Sequence, residues 1–292
     1  MGRDNLIERL KREAEEQYRI FNQKFVLTNR NVMLGVKVPK MRSIAREIAA
    51  GDWEGFLRGY GFGVAEDWCF VTGCGARERD SRNAQGGIPE RCRTIFFEEV
   101  MIIGMVIDLI NVPPSVRLAL VAQFVPLIDN WAVCDVFCGG AKWVGEPGRG
   151  PKACNRVPLE QVWEFLQRYL FPDVEECHPQ VESSGTGHRR EYGGENPQGC
   201  SEFEIRFGVV MLMSYFLVPE YIGKVFEVLS RVRKGDYYVD MAVAWCLATA
   251  RAKFDAQTQA FVAGAGLPAG VLKKYEQKVR DSLIMRKRGS SR

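Results

Sequence analysis

The sequence predicts an all-α protein, a solenoid of stacked antiparallel helix pairs with a concave face. Three observations predict it. Apolar residues recur at helical spacing through most of the chain. No segment shows a convincing two-residue alternation bounded by hairpin turns. Many helical segments follow one another across short breaks, the pattern of helix pairs laid side by side.

Taken in order, the chain opens on a charged amphipathic helix from Asp4 to Phe21, with Leu6, Ile7, Leu10 and Ala14 on one face. Pro39 suits a first helical position for Lys40–Ala50, and Gly51 stops that helix. Further apolar helical segments run over Arg93–Ile110, Ser115–Ile128, Trp131–Trp143 and Leu159–Leu170. The last four are Phe203–Leu217, Pro219–Val232, Tyr237–Phe254 and Pro268–Ile284. Segments near 73–91, 145–157 and 172–200 interrupt the pattern. Their Gly, Pro, Ser and charged residues, and their length, mark them as surface insertions in a single domain spanning 1–292.

A chain of 292 residues can bury a substantial core without disulfides or metals. Its 46% hydrophobic and 26% charged residues are those of an ordinary globular protein, which sets disordered and fibrous classes aside. Met1 to Lys24 is charged throughout, unlike a secretory signal. The longest apolar run, Val100 to Ile110, follows Glu98 and Glu99 and is broken by Asp108. It is too short to cross a bilayer and reads as a buried core helix. Nine cysteines, an odd number without a secretory segment, point to a reduced cytoplasmic setting. Cys69, Cys134, Cys138 and Cys246 sit in apolar runs and pack as small hydrophobes, while the other five lie in or beside the irregular segments.

The formal net charge is +4, but it is unevenly spread. Tyr221 to Arg292 holds 14 Lys and Arg against 6 Asp and Glu, which leaves the first 220 residues net acidic. A basic C-terminal third suits a polyanion such as DNA, because phosphate contacts release counterions. A solvated basic face is the plainer reading of charge alone.

Polar residues where periodicity predicts core are the informative ones. In FVPLIDNWAVCDVFC, Trp131 and Asp135 are four apart and share a helix face. A carboxylate among Val133, Val136 and Phe137 is costly unless paired, so Asp135 is either a structural ion-pair member or a functional group. Asp129 and Asn130 compete to cap this helix. Arg206 stands alone in EIRFGVVMLMSYFL after Glu204, and its guanidinium needs a carboxylate, phosphate or solvent. An internal pair with Asp135 or a helix-edge Glu would satisfy it. Trp245, in DYYVDMAVAWCLATA, is either core or a ligand contact, and Tyr237, Tyr238 and Asp240 lie nearby. Arg206 and Trp245 are 39 residues apart; Trp131 precedes Arg206 by 75, or 46 without the insertion at 172–200. Both intervals approach the period of HEAT-type helix pairs, as expected if the three line one face.

Other chemistry is disfavoured. His178 and His188, the only histidines, both fall in the third insertion, which argues against a histidine triad on a rigid scaffold. Cys177, His178, His188 and Cys200, or Cys74 with Cys92, match no strong zinc spacing. The run GYGFG at Gly59–Gly63 follows no strand and does not resemble a phosphate loop. Neither a metal nor a cofactor is expected.

At these residues the chain resembles the AlkD-type DNA alkylation repair proteins, HEAT-like-repeat DNA glycosylases. The resemblance is carried by GVKVPKMRSIA (Gly35 to Ala45), EEVMIIGMVI (Glu98 to Ile107) and DNWAVCD (Asp129 to Asp135). It continues through EIRFGVVML (Glu204 to Leu212), YYVDMAVAWCLA (Tyr237 to Ala248) and LKKYEQKVRDSL (Leu272 to Leu283). It implies a HEAT-like repeat solenoid acting as a monomer on double-stranded DNA that contains alkylated bases. The catalytic carboxylate falls on Asp135, the sugar-facing aromatics on Trp131 and Trp245, and the backbone-contacting arginine on Arg206. Lys40, Arg42, Tyr237, Tyr238, Lys273, Lys274 and Lys278 are the DNA-binding candidates. The implied reaction is monofunctional excision of cationic N3- or N7-alkylated purines without base flipping, tolerant of bulky adducts and poor on neutral lesions. A non-catalytic module binding DNA structure, or a protein-interaction scaffold, is the alternative.

Overall fold

Two carboxylates that open an apolar helix anchor the first half of the chain. In the computed structural model, residues 1–28, 31–63, 95–148, 154–171, 201–232 and 234–281 are described. They form thirteen α-helices and no strand, and no helix among them is long and apolar enough to cross a membrane. The chain divides into two compact units, Met1–Val162 and Trp163–Arg292.

The first unit holds α1 (Arg3–Glu13), α2 (Glu16–Asn22), α3 (Val38–Ala50), α4 (Trp53–Gly59), α5 (Phe97–Leu109), α6 (Pro114–Phe124) and α7 (Trp131–Gly140), and α8 (Leu159–Leu170) begins in it. Helix α5 packs against α3, α6 and α7, and every residue from Phe97 to Ile107 is buried. The apolar run read from the sequence is therefore the core helix it predicted. Its first turn buries Glu98 and Glu99 completely. Glu98 accepts the backbone N–H groups of Leu34, Gly35 and Val36, with its Oε1 2.7 Å from the Gly35 nitrogen. Glu99 accepts from Tyr60 Oη at 2.6 Å, from Arg3 Nε at 3.0 Å and from the Phe96 N–H at 2.7 Å. One carboxylate thus fixes the loop before α3, and the other ties α1, α4 and α5 together. Gly35 is required in that loop: its φ is 102°, and a Cβ there would lie 2.7 Å from both Arg19 Cβ and the Glu15 carbonyl oxygen.

The second unit holds α9 (Glu202–Tyr215), α10 (Ile222–Arg231), α11 (Tyr237–Lys253), α12 (Asp255–Gly264) and α13 (Ala269–Asp281), together with most of α8. Helix α11 packs on α9, α12 and α13. Phe226 of α10 stacks on Phe261 of α12 at 4.7 Å, and Trp163, Phe216 and Tyr221 form an edge-to-face and tilted cluster.

Several boundaries differ from the expected ones. The single opening helix is two helices, because the chain turns out at Ala14–Glu15, where the Glu15 N–H donates to the Gly35 carbonyl instead of continuing the helical ladder. Ser115–Ile128 ends as a helix at Phe124 and closes through a 3-10 turn at Val125–Leu127. Helices α4 and α12 were not expected; α4 has seven residues, and α12 buries only Thr258. The insertions at 73–91 and 172–200 lie outside the described residues, with both histidines and with Cys69, Cys74, Cys92, Cys177 and Cys200. The ends of the 145–157 segment are joined, since Val144 and Val157 form a parallel bridge and the Gly145 N–H donates to the Val157 carbonyl at 3.0 Å. Cys134, Cys138 and Cys246 are fully buried, as expected of small hydrophobes, and burial pushes the Cys246 thiol up to about 12.

Candidate functional site

Helix α7 carries the first pair of candidate residues, and its start is held by side chains. Asn130 is the cap, its Oδ1 accepting the Val133 N–H at 3.0 Å. Asp129 does not cap: it is buried beneath the turn and accepts from Asn130 Nδ2 at 2.7 Å and Asn31 Nδ2 at 3.3 Å. The competition seen in the sequence is thus resolved in favour of asparagine, with the aspartate orienting it.

From this fixed start, Trp131, Ala132, Asp135, Val136 and Gly139 face a cavity of about 720 Å³ in the first unit. Trp131 is half-buried and pinned by its indole N–H, which donates to the Phe25 carbonyl at 3.0 Å. Asp135, one turn on, is also half-buried and lines the same cavity. Met33, Met41, Met101 and Met105 supply apolar wall, and Arg42, Arg46 and Lys142 bring basic side chains that are exposed elsewhere to solvent. A carboxylate and an indole bounded by guanidinium groups can hold a developing cation and its attached anion in one place.

Asp108, from the end of α5, is a second acid of this cavity. Its Oδ1 accepts the Trp143 indole N–H at 2.8 Å. Its Oδ2 lies 2.3 Å from where a Cβ on Gly140 would stand, so the carboxyl occupies space that only glycine leaves open. Burial holds the Asp108 carboxyl well above the usual carboxylate range; the Trp143 bond and the Arg117 charge oppose that shift without cancelling it. Arg117 itself is buried, donates from Nη2 to the Ile110 carbonyl, and lies over the Trp143 ring at 5.8 Å. Burial lowers it to about 10, with Asp108 acting in the opposite sense. Cys138 is raised well above the usual thiol range by burial first, then by Cys134 and by the charges of Asp135 and Asp108. Both aspartates therefore act on one buried sulfur. Gly140→Ala is expected to destabilise the protein by about 1–3 kcal/mol, since the new methyl must displace the Asp108 carboxyl. A urea denaturation curve measures this; an unchanged midpoint contradicts the packing described.

In the second unit, Arg206 of α9 is 5% exposed and donates from Nη1 to the Tyr238 carbonyl at 3.0 Å. The guanidinium thus supports the first turn of α11, and the Tyr238 N–H is in turn held by Glu202 at 3.3 Å. Tyr237, 60% exposed, has the Lys274 ammonium 5.4 Å from its ring centre. Two turns along α11, half-buried Trp245 has the Lys278 ammonium 5.6 Å from its ring. Two aromatic side chains of α11 are thereby matched to two lysines of α13. Asp240 lies beside them, 3.7 Å from Lys274.

The candidates therefore fall into two groups: Trp131, Asp135 and Arg42 in the first unit, and Arg206, Tyr237, Tyr238, Trp245, Lys274 and Lys278 in the second. Lys40 is drawn towards acceptors of its own unit, with Nζ 3.3 Å from the Glu13 carbonyl and 3.6 Å from Glu15 Oε1. Lys273 is exposed on α13. Sequence reasoning missed Arg46 and Asp108. Arg46 repeats Arg42 at the next turn of α3, a signal available in the spacing. Asp108 was visible only as a break in an apolar run.

The described residues thus define an all-helical protein whose first unit bears a cavity with two aspartates and a basic margin. No protein-family model, no curated protein and no solved structure matches the chain.

Proposed function

We propose that this protein is a monofunctional DNA glycosylase that excises cationic N3- and N7-alkylated purines from duplex DNA, on the HEAT-like solenoid that the sequence predicts. The observation that carries this reading is the lining of one cavity by Trp131, Asp135, Arg42 and Arg46. A purine nucleotide alkylated at N3 or N7 carries positive charge, and its glycosidic bond is already weakened. As the base departs, positive charge develops on the deoxyribose. A fixed Asp135 carboxylate stabilises that charge and orients the attacking water, and the Trp131 indole face adds cation–π attraction. Arg42 and Arg46 suit the flanking phosphates. No lysine nucleophile takes part, so the product is an abasic site with an unbroken strand.

The second unit supplies duplex affinity through Lys274 and Lys278, held beside Tyr237 and Trp245. Replacing both lysines with alanine is expected to weaken binding to any duplex. It should also flatten the salt dependence of log K by about 2, near 0.9 for each phosphate no longer neutralised. Titrations between low and physiological salt measure the slope; an unaltered slope contradicts a phosphate role for these lysines.

The activity itself is tested by incubating the intact protein with methylated duplex and quantifying free 7-methylguanine. Release above the uncatalysed rate, without strand cleavage, is the expected result. Salt-sensitive binding with no release would leave a non-catalytic DNA-binding module, and absence of binding would leave a protein-interaction scaffold.

A further inference from the structure

We propose that the apolar ridge formed by the end of α2 and the segment after it docks duplex DNA, lying against the sugar faces of a groove beside the lesion while the base stays stacked. The inference rests on the duplex-binding half of the glycosylase reading and takes no part in the chemical step.

Ile20, Phe21, Phe25, Leu27 and Val32 are each 50–62% exposed. The remaining large exposed apolar side chains among the described residues are Leu109, which lines the cavity, and Tyr237, which faces Lys274. A single exposed apolar residue is ordinary, but five within one short segment make a contiguous surface of the kind that marks an interaction site. The Phe21 and Phe25 rings tilt against each other with centres 5.2 Å apart. The turn beneath them is tied down: the Phe25 and Val26 N–H groups both donate to the Asn22 carbonyl at 2.9 Å, and Val26 is buried in the cavity wall. A ridge held in this way loses little conformational freedom on binding.

The ridge is continuous with the candidate site. Tyr18 and Asn22 line the cavity, and the bond from the Trp131 indole N–H to the Phe25 carbonyl, 3.0 Å long, lies open to solvent. A sugar held against Trp131 and Asp135 therefore brings its neighbours in the strand onto Phe25 and Phe21. Charge selects the same occupant. From Ile20 to Arg46 the sequence holds six Lys and Arg and no Asp or Glu. Lys37 and Lys40 meet Glu15, whereas Lys24 is exposed within the ridge and Arg42 and Arg46 stand at the cavity. Apolar side chains set among cations match a DNA groove, whose walls are deoxyribose faces between two rows of phosphates, and proteins that grip the minor groove use Phe, Leu and Ile there. A second copy of the chain would instead set like charge against like.

Apolar contact adds affinity that salt does not screen. The ridge thus differs from Lys274 and Lys278, whose contribution is read in the salt slope.

The experiment measures binding of the intact protein to a duplex carrying one tetrahydrofuran site, from low to physiological salt, for the wild type and for Phe21→Ala/Phe25→Ala. Both rings are largely exposed, and the Phe25 carbonyl remains in place for Trp131, so the variant is expected to keep the wild-type urea midpoint. Its Kd is expected to rise about 30-fold at every salt concentration, with the slope of log K against log salt unchanged. Phe21→Ala alone leaves the turn at Phe25 untouched and is expected to raise Kd about fivefold in the same manner, which keeps the test decisive where the double variant folds poorly. Affinity of both variants within about twofold of the wild type overturns the proposal. So does a loss confined to low salt. Self-association that the double substitution abolishes, with duplex affinity unaltered, overturns it in favour of a second copy. Duplex binding by the wild type without release of 7-methylguanine removes only the glycosylase reading, and the ridge is then judged by the same comparison of Kd values. Absence of duplex binding by the wild type overturns both.

Discussion

Asp135→Asn is expected to lower the single-turnover rate of 7-methylguanine release by about 100- to 1,000-fold, a loss of roughly 3–4 kcal/mol of transition-state stabilisation. The substitution preserves shape and removes charge. Asp135 is half-buried on the cavity wall, so an amide fits where the carboxylate was. What changes is the response to positive charge on the sugar. A carboxylate already in place meets that charge without reorganisation, whereas an amide offers only a dipole. Duplex affinity is expected to stay within about threefold, because phosphate contacts dominate ground-state binding. Release at the wild-type rate would show that Asp135 belongs only to the architecture of α7.

Glu98→Ala is expected to destabilise the fold by about 3–5 kcal/mol. Three backbone N–H groups, those of Leu34, Gly35 and Val36, lose their acceptor in a site with no exposure of the glutamate. Each orphaned buried donor costs about 1–3 kcal/mol, with partial relief by water. The damage reaches the cavity, because the loop that Glu98 holds leads into α3, which bears Met41, Arg42 and Arg46. Urea unfolding gives the change directly. A loss below about 1 kcal/mol would mean that the loop before α3 holds its shape without this carboxylate.

How much of this could be read from residues alone depends on how local the signal is. Helix α8 was expected over Leu159–Leu170 and spans those residues, because an amphipathic run lies between prolines at 158 and 172. The break between α1 and α2 was illegible, since it depends on a hydrogen bond from Glu15 to the distant Gly35. Trp131 and Asp135 were paired from their spacing, which survives in α7. Asp108 could not be found this way: its setting depends on Trp143, Gly140 and Arg117, which meet it only in the folded unit. Glu98 and Glu99 misled in the same manner. They read as charge at the edge of an apolar run, but both are fully buried acceptors. For Arg206 the sequence correctly flagged a guanidinium needing a partner, and a main-chain carbonyl, that of Tyr238, is one of its acceptors.

The central claim is that Asp135 recognises a sugar as it turns positive. Its most direct test is affinity for two duplexes that differ at one site, one carrying a cationic pyrrolidine in place of the deoxyribose and one carrying neutral tetrahydrofuran. The account predicts that the wild-type protein binds the cationic duplex about 100-fold more tightly and that Asp135→Asn erases the preference. Equal affinity of the wild-type protein for the two duplexes would contradict it.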